Sequence, residues 1–202
     1  MEDLLYSMVQ GKDHCSRRVI ILHGMGGIGK SQIALEYAYL KSTKYSSIFW
    51  LDATDHNTIN ASGRQITEIL ILHYATKYPS SPDFPRIATD LGIPGQIDST
   101  GKLVEGSANN AWLIVQSWMA REGNSAWCLI ADGINDEADA VRLLEVLPKC
   151  GHGHIIITSR VRVSKCDRII DIPAMDKESG LKLLLDNKEL ECLTEDGRNI
   201  FI

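Results

Sequence analysis

The run Gly24-Met25-Gly26-Gly27-Ile28-Gly29-Lys30-Ser31 restricts the fold of this chain more than any other segment. Ahead of it, residues 19–23 (Val-Ile-Ile-Leu-His) are short, apolar and partly β-branched, which predicts a buried strand. Behind it, Ile33, Ala34, Tyr37 and Ala38 recur at helical spacing and predict a helix over residues 31–41. A glycine-rich loop set between a strand and a helix and closing on Gly-Lys-Ser fits the pattern GxxxxGK[ST]. Glycine is needed there because the backbone must fold tightly with its N–H groups turned inward, where a Cβ would block an approaching phosphate. The helix N-terminus adds further unpaired N–H groups and the positive end of a dipole. In such a site Lys30 reaches the β- and γ-phosphates and the Ser31 hydroxyl sits on Mg2+. The candidate set for binding the phosphates of a nucleotide is therefore Gly24, Met25, Gly26, Gly27, Ile28, Gly29, Lys30, Ser31 and Gln32.

The same glycines also spell GxGxxG through Gly24, Gly26 and Gly29, and Asp52 stands where a dinucleotide fold places its ribose-binding acid. Lys30-Ser31 decides between the two patterns, since that pair has a defined role on a triphosphate and none on a dinucleotide.

Further apolar runs at residues 47–51, 127–131, 154–158 and 169–172 alternate with helical patterns at 58–74, 108–121, 137–147 and 177–190. This alternation predicts a three-layer α/β fold with a mainly parallel five-stranded sheet flanked by helices. Residues 75–106 fit no such pattern and hold four of the six prolines, so they are expected to form a long surface loop with a short helix near 86–91. The 202 residues leave room for one domain, and 44% hydrophobic residues can fill its core. The net charge of −5 provides no global positive field, which argues against nucleic acid or an anionic membrane as partner. Five scattered cysteines without a CxxC pair, and no apolar run of membrane-spanning length, point to a reducing cytoplasmic setting.

Two later strands carry further candidates. Asp132 ends the run Trp127-Cys128-Leu129-Ile130-Ala131 and is placed to hold the shell of a magnesium ion, although an acid before Gly133 can also form a turn. Asp136 and Glu137 follow closely enough to position an attacking water, and capping of the next helix is the competing role. Arg160 follows the run Ile155-Ile156-Ile157-Thr158-Ser159 and would sense or stabilise a γ-phosphate, with a surface ion pair as the alternative and Arg162 and Arg168 as rivals. The catalytic candidates are thus Asp132, Asp136 and Arg160, and the metal candidates are Ser31 and Asp132. His152 and His154 are read as a turn and a strand start, and Trp112 and Trp118 as core.

Together the segments Leu22-His23-Gly24 through Lys30, Ile48-Phe49-Trp50-Leu51-Asp52-Ala53, the Asp132 run, and Ile156-Ile157-Thr158-Ser159-Arg160 resemble the NB-ARC domain. That domain belongs to the P-loop NTPases of the STAND class found in NLR-type immune receptors, and the fungal members with C-terminal repeats are the most similar. The resemblance runs in order over residues 18–185. It implies an ADP/ATP-operated, Mg-dependent signalling switch in which Gly27, Gly29, Lys30 and Ser31 hold phosphate and metal, Asp132 serves the magnesium shell, Arg160 is a sensor and hydrolysis is slow. Protein partners or self-association would then run through other regions. The implied organisation is a short lead over 1–17, the nucleotide-binding domain over 18–190 and a tail over 191–202. The aromatic-Val-Gly-Arg segment that usually precedes the loop has no match here, and Gly133 stands where many relatives carry an acid or asparagine. A catalytic ATPase or small-molecule kinase, and a degenerate fold kept as an interaction module, are the competing expectations.

Overall fold

A computed structural model describes residues 17–76, 84–91, 95–104, 111–163 and 166–184. Residues 1–16 of the expected 1–17 lead, the tail, and the end of the last expected helix lie outside the described residues.

All five expected strands form: β1 (Arg18–His23), β2 (Ser47–Asp52), β3 (Trp127–Ile134), β4 (His154–Ser159) and β5 (Arg168–Asp171). Each lies within a few residues of the apolar run that predicts it. They make one sheet in the order β2-β3-β4-β1-β5, and every pairing is parallel. Parallel strands need crossovers, and helices supply three of the four: α1 (Lys30–Leu40) joins β1 to β2, α2 (His56–Thr76), α3 (Phe84–Leu91) and α4 (Ala111–Met119) lie between β2 and β3, and α5 (Glu137–Val146) joins β3 to β4, while residues 160–167 lead from β4 to β5 and α6 (Lys177–Leu184) follows β5.

The central strands are buried on both faces, so apolar side chains fill nearly every position: Ile21, Leu22, Leu129, Ile130, Ile155, Ile156 and Ile157 are each at most 1% exposed. Full burial of one such side chain contributes roughly 1.5–3 kcal/mol. On one face Ile20, Leu22, Cys128, Ile130 and Ile156 pack against Ala34 and Tyr37 of α1. On the other, Ile21, Leu129, Ala131, Ile155 and Ile157 pack with residues of α2, α3, α4 and α5. Trp112 and Trp118 of α4 are core residues as expected, with Trp112 Nε1 donating to the Ile59 carbonyl at 3.0 Å.

The stretch expected as a surface loop is more integrated than that. Its helix α3 buries Ala88 and Leu91, and residues 95–104 fold into a tight turn bridged at Ile97 and Leu103, both buried in the larger cluster. Asp98 closes this turn by accepting from Thr100 N, Thr100 Oγ1 and Lys102 N, and those bonds hold its carboxyl below the usual carboxylate range.

Gly63 sits inside α2, where glycine ordinarily weakens a helix by about 1 kcal/mol relative to alanine. Here a Cβ would lie 2.5 Å from Trp112 Nε1. Gly63→Ala is therefore expected to reverse the usual sign and lower unfolding stability by about 1–3 kcal/mol in a urea titration; stabilisation by the alanine would contradict this packing.

Candidate functional site

Because the sheet is parallel, the C-terminal ends of β1, β3 and β4 meet at one edge, the side on which open α/β sheets bind ligands. The glycine loop leaves β1 there. Gly27 and Gly29 adopt positive φ, 76° and 98°, which side-chain-bearing residues rarely adopt. Gly29 is the N-cap of α1, and no side chain caps the helix and no acid lies in its first turn. Its first N–H groups are left without a side-chain cap, and no acid of its own offsets its positive end. The contrast with α5 is direct: there the Asp136 carboxylate accepts from Asp139 N at 2.8 Å, and Glu137 and Asp139 occupy the first turn.

The remaining loop residues divide by contact. Met25 is 75% exposed, whereas Ile28 packs against the smaller core cluster and anchors the loop. Lys30 is almost buried and its Nζ donates to the carbonyls of Gly24 at 2.9 Å and Met25 at 2.7 Å. Burial pushes the Lys30 ammonium below its ordinary pKa, the nearby Arg160 charge adds to that, and Asp132 opposes it. Gln32 is exposed in the first turn of α1.

Ser31 reaches across the sequence. Its Oγ donates to Asp132 Oδ1 at 2.6 Å, joining the start of α1 to a strand that β4 separates from β1. Thr158 Oγ1, from β4, donates to the same oxygen at 2.6 Å and accepts from Gly133 N at 2.9 Å. Hydrogen bonds to a charged acceptor contribute roughly 1.5–3 kcal/mol each. The Asp132 carbonyl in turn accepts from Ala53 N at 2.8 Å, so both ends of this residue are held.

Arg160 follows β4, with its N donating to the Ile134 carbonyl at 2.9 Å. Its guanidinium lies over Gly26, where an added Cβ would come within 3.0 Å of Nη2. Arg162 takes the alternative role of a surface ion pair, its Nη2 lying 2.8 and 2.7 Å from the two Asp171 oxygens. Asp171 also accepts from His23 Nδ1 at 2.7 Å, and that bond first, with Arg162 adding, holds its carboxyl below the usual range. The structure thus brings Lys30, Ser31, Asp132 and Arg160 together around the loop and commits Asp136 to capping α5.

The dinucleotide alternative does not suit this topology. It needs the second strand beside the first, yet β2 is three places from β1, about 14 Å away at the usual strand spacing. Asp52 Oδ1 accepts from Thr54 N and Thr54 Oγ1, which closes a turn. A cavity of about 980 Å3 lined by Arg17, Val19, Ala140, Leu144 and Val163 lies elsewhere and shares no residue with the loop.

Two side chains at this edge carried no individual role in the sequence. Thr158 and Thr54 become visible only through the contacts of Gly133, whose φ is 98° and whose added Cβ would lie 2.7 Å from Thr54 Cγ2.

A scan against protein-family models finds none that matches the chain, and a search of curated proteins finds no match.

Gly133→Ala combines two separable penalties, a positive φ of roughly 1–2 kcal/mol and overpacking of about 1–3 kcal/mol. Adding Thr54→Ser, which removes Cγ2, is expected to recover the packing part alone. Chemical denaturation of the two single variants and the double variant checks this, and strict additivity would rule out the contact.

Proposed function

We propose that this chain is the nucleotide-binding core of an ADP/ATP-operated signalling switch, a P-loop NTPase of the NB-ARC and STAND kind seen in NLR-type receptors. The observation that carries the proposal is the 2.6 Å contact between Ser31 Oγ and Asp132 Oδ1. A loop hydroxyl and a strand-end carboxylate 101 residues apart are brought to one point beside an uncapped helix N-terminus. Those are the two protein oxygens a triphosphate-bound magnesium ion needs.

The donor set fits magnesium carried by the nucleotide better than a metal caged by protein alone. Among the described residues no group of three or more His, Cys, Asp or Glu could hold an ion. Mg2+ commonly takes one or two protein oxygens, with water and phosphate completing its octahedron. Ser31 and Asp132 would hold it, and when bound it would neutralise phosphate charge. The chain's own residues do the rest. The loop N–H groups receive phosphate oxygens, Lys30 turns from the Gly24 and Met25 carbonyls to the phosphates, and Arg160 closes over Gly26 from the β4 side.

Slow hydrolysis accords with the same geometry. Asp136 is occupied by the α5 cap, and Gly133 offers no carboxylate to orient a water. A fast ATPase or a small-molecule kinase is correspondingly less favoured. Free thiols at Cys128, Cys150 and Cys166 accord with a reducing cytoplasmic setting, and no described helix is long and apolar enough to cross a membrane. Protein partners would be engaged through surfaces other than the loop.

The test is titration with fluorescent ADP and ATP analogues. Lys30→Ala is expected to weaken binding about 10- to 100-fold, the worth of one or two charge-assisted hydrogen bonds. Equally negligible binding in both proteins would sink the proposal. Turnover on the order of 10 per second would move it to the catalytic reading.

A further inference from the structure

The backbone of β3 is irregular at one place. Ala131 pairs with Ile157 and Ile134 pairs with Ser159, so Asp132 and Gly133 together face the single residue Thr158. Bulges of this kind re-aim side chains and concentrate beside functional sites. Thr158 is 1% exposed, and its hydroxyl is the group that fills the break. Gly133 N, freed from the regular ladder and turned by its positive φ, donates to Thr158 Oγ1 instead of to a backbone carbonyl.

That bond settles the direction of the Thr158 proton. An N–H can only donate, so it occupies a lone pair of Oγ1 and leaves the hydroxyl hydrogen to go elsewhere. The acceptor within reach is Asp132 Oδ1 at 2.6 Å, already taking the Ser31 hydroxyl from the opposite element. Among the described residues no hydrogen bond engages Asp132 Oδ2.

We propose that Thr158 is a positioning residue for magnesium: its hydroxyl, oriented by the Gly133 amide, fixes the Asp132 carboxylate so that one oxygen ties α1 and β4 to β3 and the other is presented to the metal shell. The inference rests on the nucleotide-binding function proposed above. Groups that orient metal ligands without touching the metal commonly change metal affinity 10- to 100-fold when removed.

Thr158→Val keeps the volume and β-branching and removes the hydroxyl, while Thr158→Ser keeps it. Binding of a fluorescent ADP analogue is measured for the full chain in EDTA and across a Mg2+ titration. Wild type is expected to bind more tightly with Mg2+. The valine variant should keep the EDTA affinity but need about 10- to 100-fold more Mg2+ to reach half its gain, and the serine variant should return the midpoint to near wild type. Should the valine protein be recovered unfolded, Thr158→Cys, a weaker donor of similar size, carries the test with the same expected direction. An unchanged Mg2+ midpoint in a folded valine or cysteine variant overturns the inference and leaves nucleotide binding standing. Equal losses in EDTA and Mg2+ also overturn it, because they show Thr158 only filling the bulge. A wild-type chain that binds no nucleotide under either condition removes the proposed function itself, and this inference with it.

Discussion

One carboxylate oxygen, Asp132 Oδ1, accepts a hydroxyl proton from Ser31 at the head of α1 and another from Thr158 in β4. Three elements that are distant in sequence meet at that atom, and the rest of the site depends on it. The meeting is possible only because the strands are parallel and β4 lies between β1 and β3, so that all three C-terminal ends reach the same edge. Had β3 run the other way, Asp132 would sit at the far end of the sheet from the glycine loop.

The two helix N-termini at this edge illustrate how the same backbone geometry is put to opposite ends. The α5 terminus is closed by Asp136 and two further acids, which satisfies its N–H groups and neutralises its dipole. The α1 terminus is entered through a left-handed glycine with no capping side chain. Its N-cap makes no side-chain hydrogen bond, and the Lys30 charge beside it is disfavoured by burial and by the nearby Arg160 and favoured by Asp132.

Much of this was readable from the residues. The strands were, because short apolar runs such as Ile155-Ile156-Ile157 are characteristic of a sheet buried on both faces, and the loop was, because its glycines and Lys30-Ser31 form a spaced pattern. Strand order was not, since the pattern within a strand carries no information about its neighbours. The buried residues within the 75–106 stretch are not readable for a related reason. Leu91, Ile97 and Leu103 are isolated among prolines, glycines and polar residues, so no period reveals that they are core, and only the long-range contacts do. Thr158 was invisible as an individual because its role depends on a ladder irregularity in a different strand. Asp136 was ambiguous by composition, and the bond it makes to Asp139 N is what distinguishes the cap from a water-positioning acid.

Among the described residues the two faces of the sheet are unequally packed. One is covered by four helices and the Ile97–Leu103 turn, whereas the fully buried helical members of the other cluster, Ala34 and Tyr37, come from α1. Free energies of local opening follow the amount of apolar contact that must be broken, so α1 has the thinner protection against amide exchange. The helix that begins at the loop thus rests on less of the described core than the helices of the opposite face do.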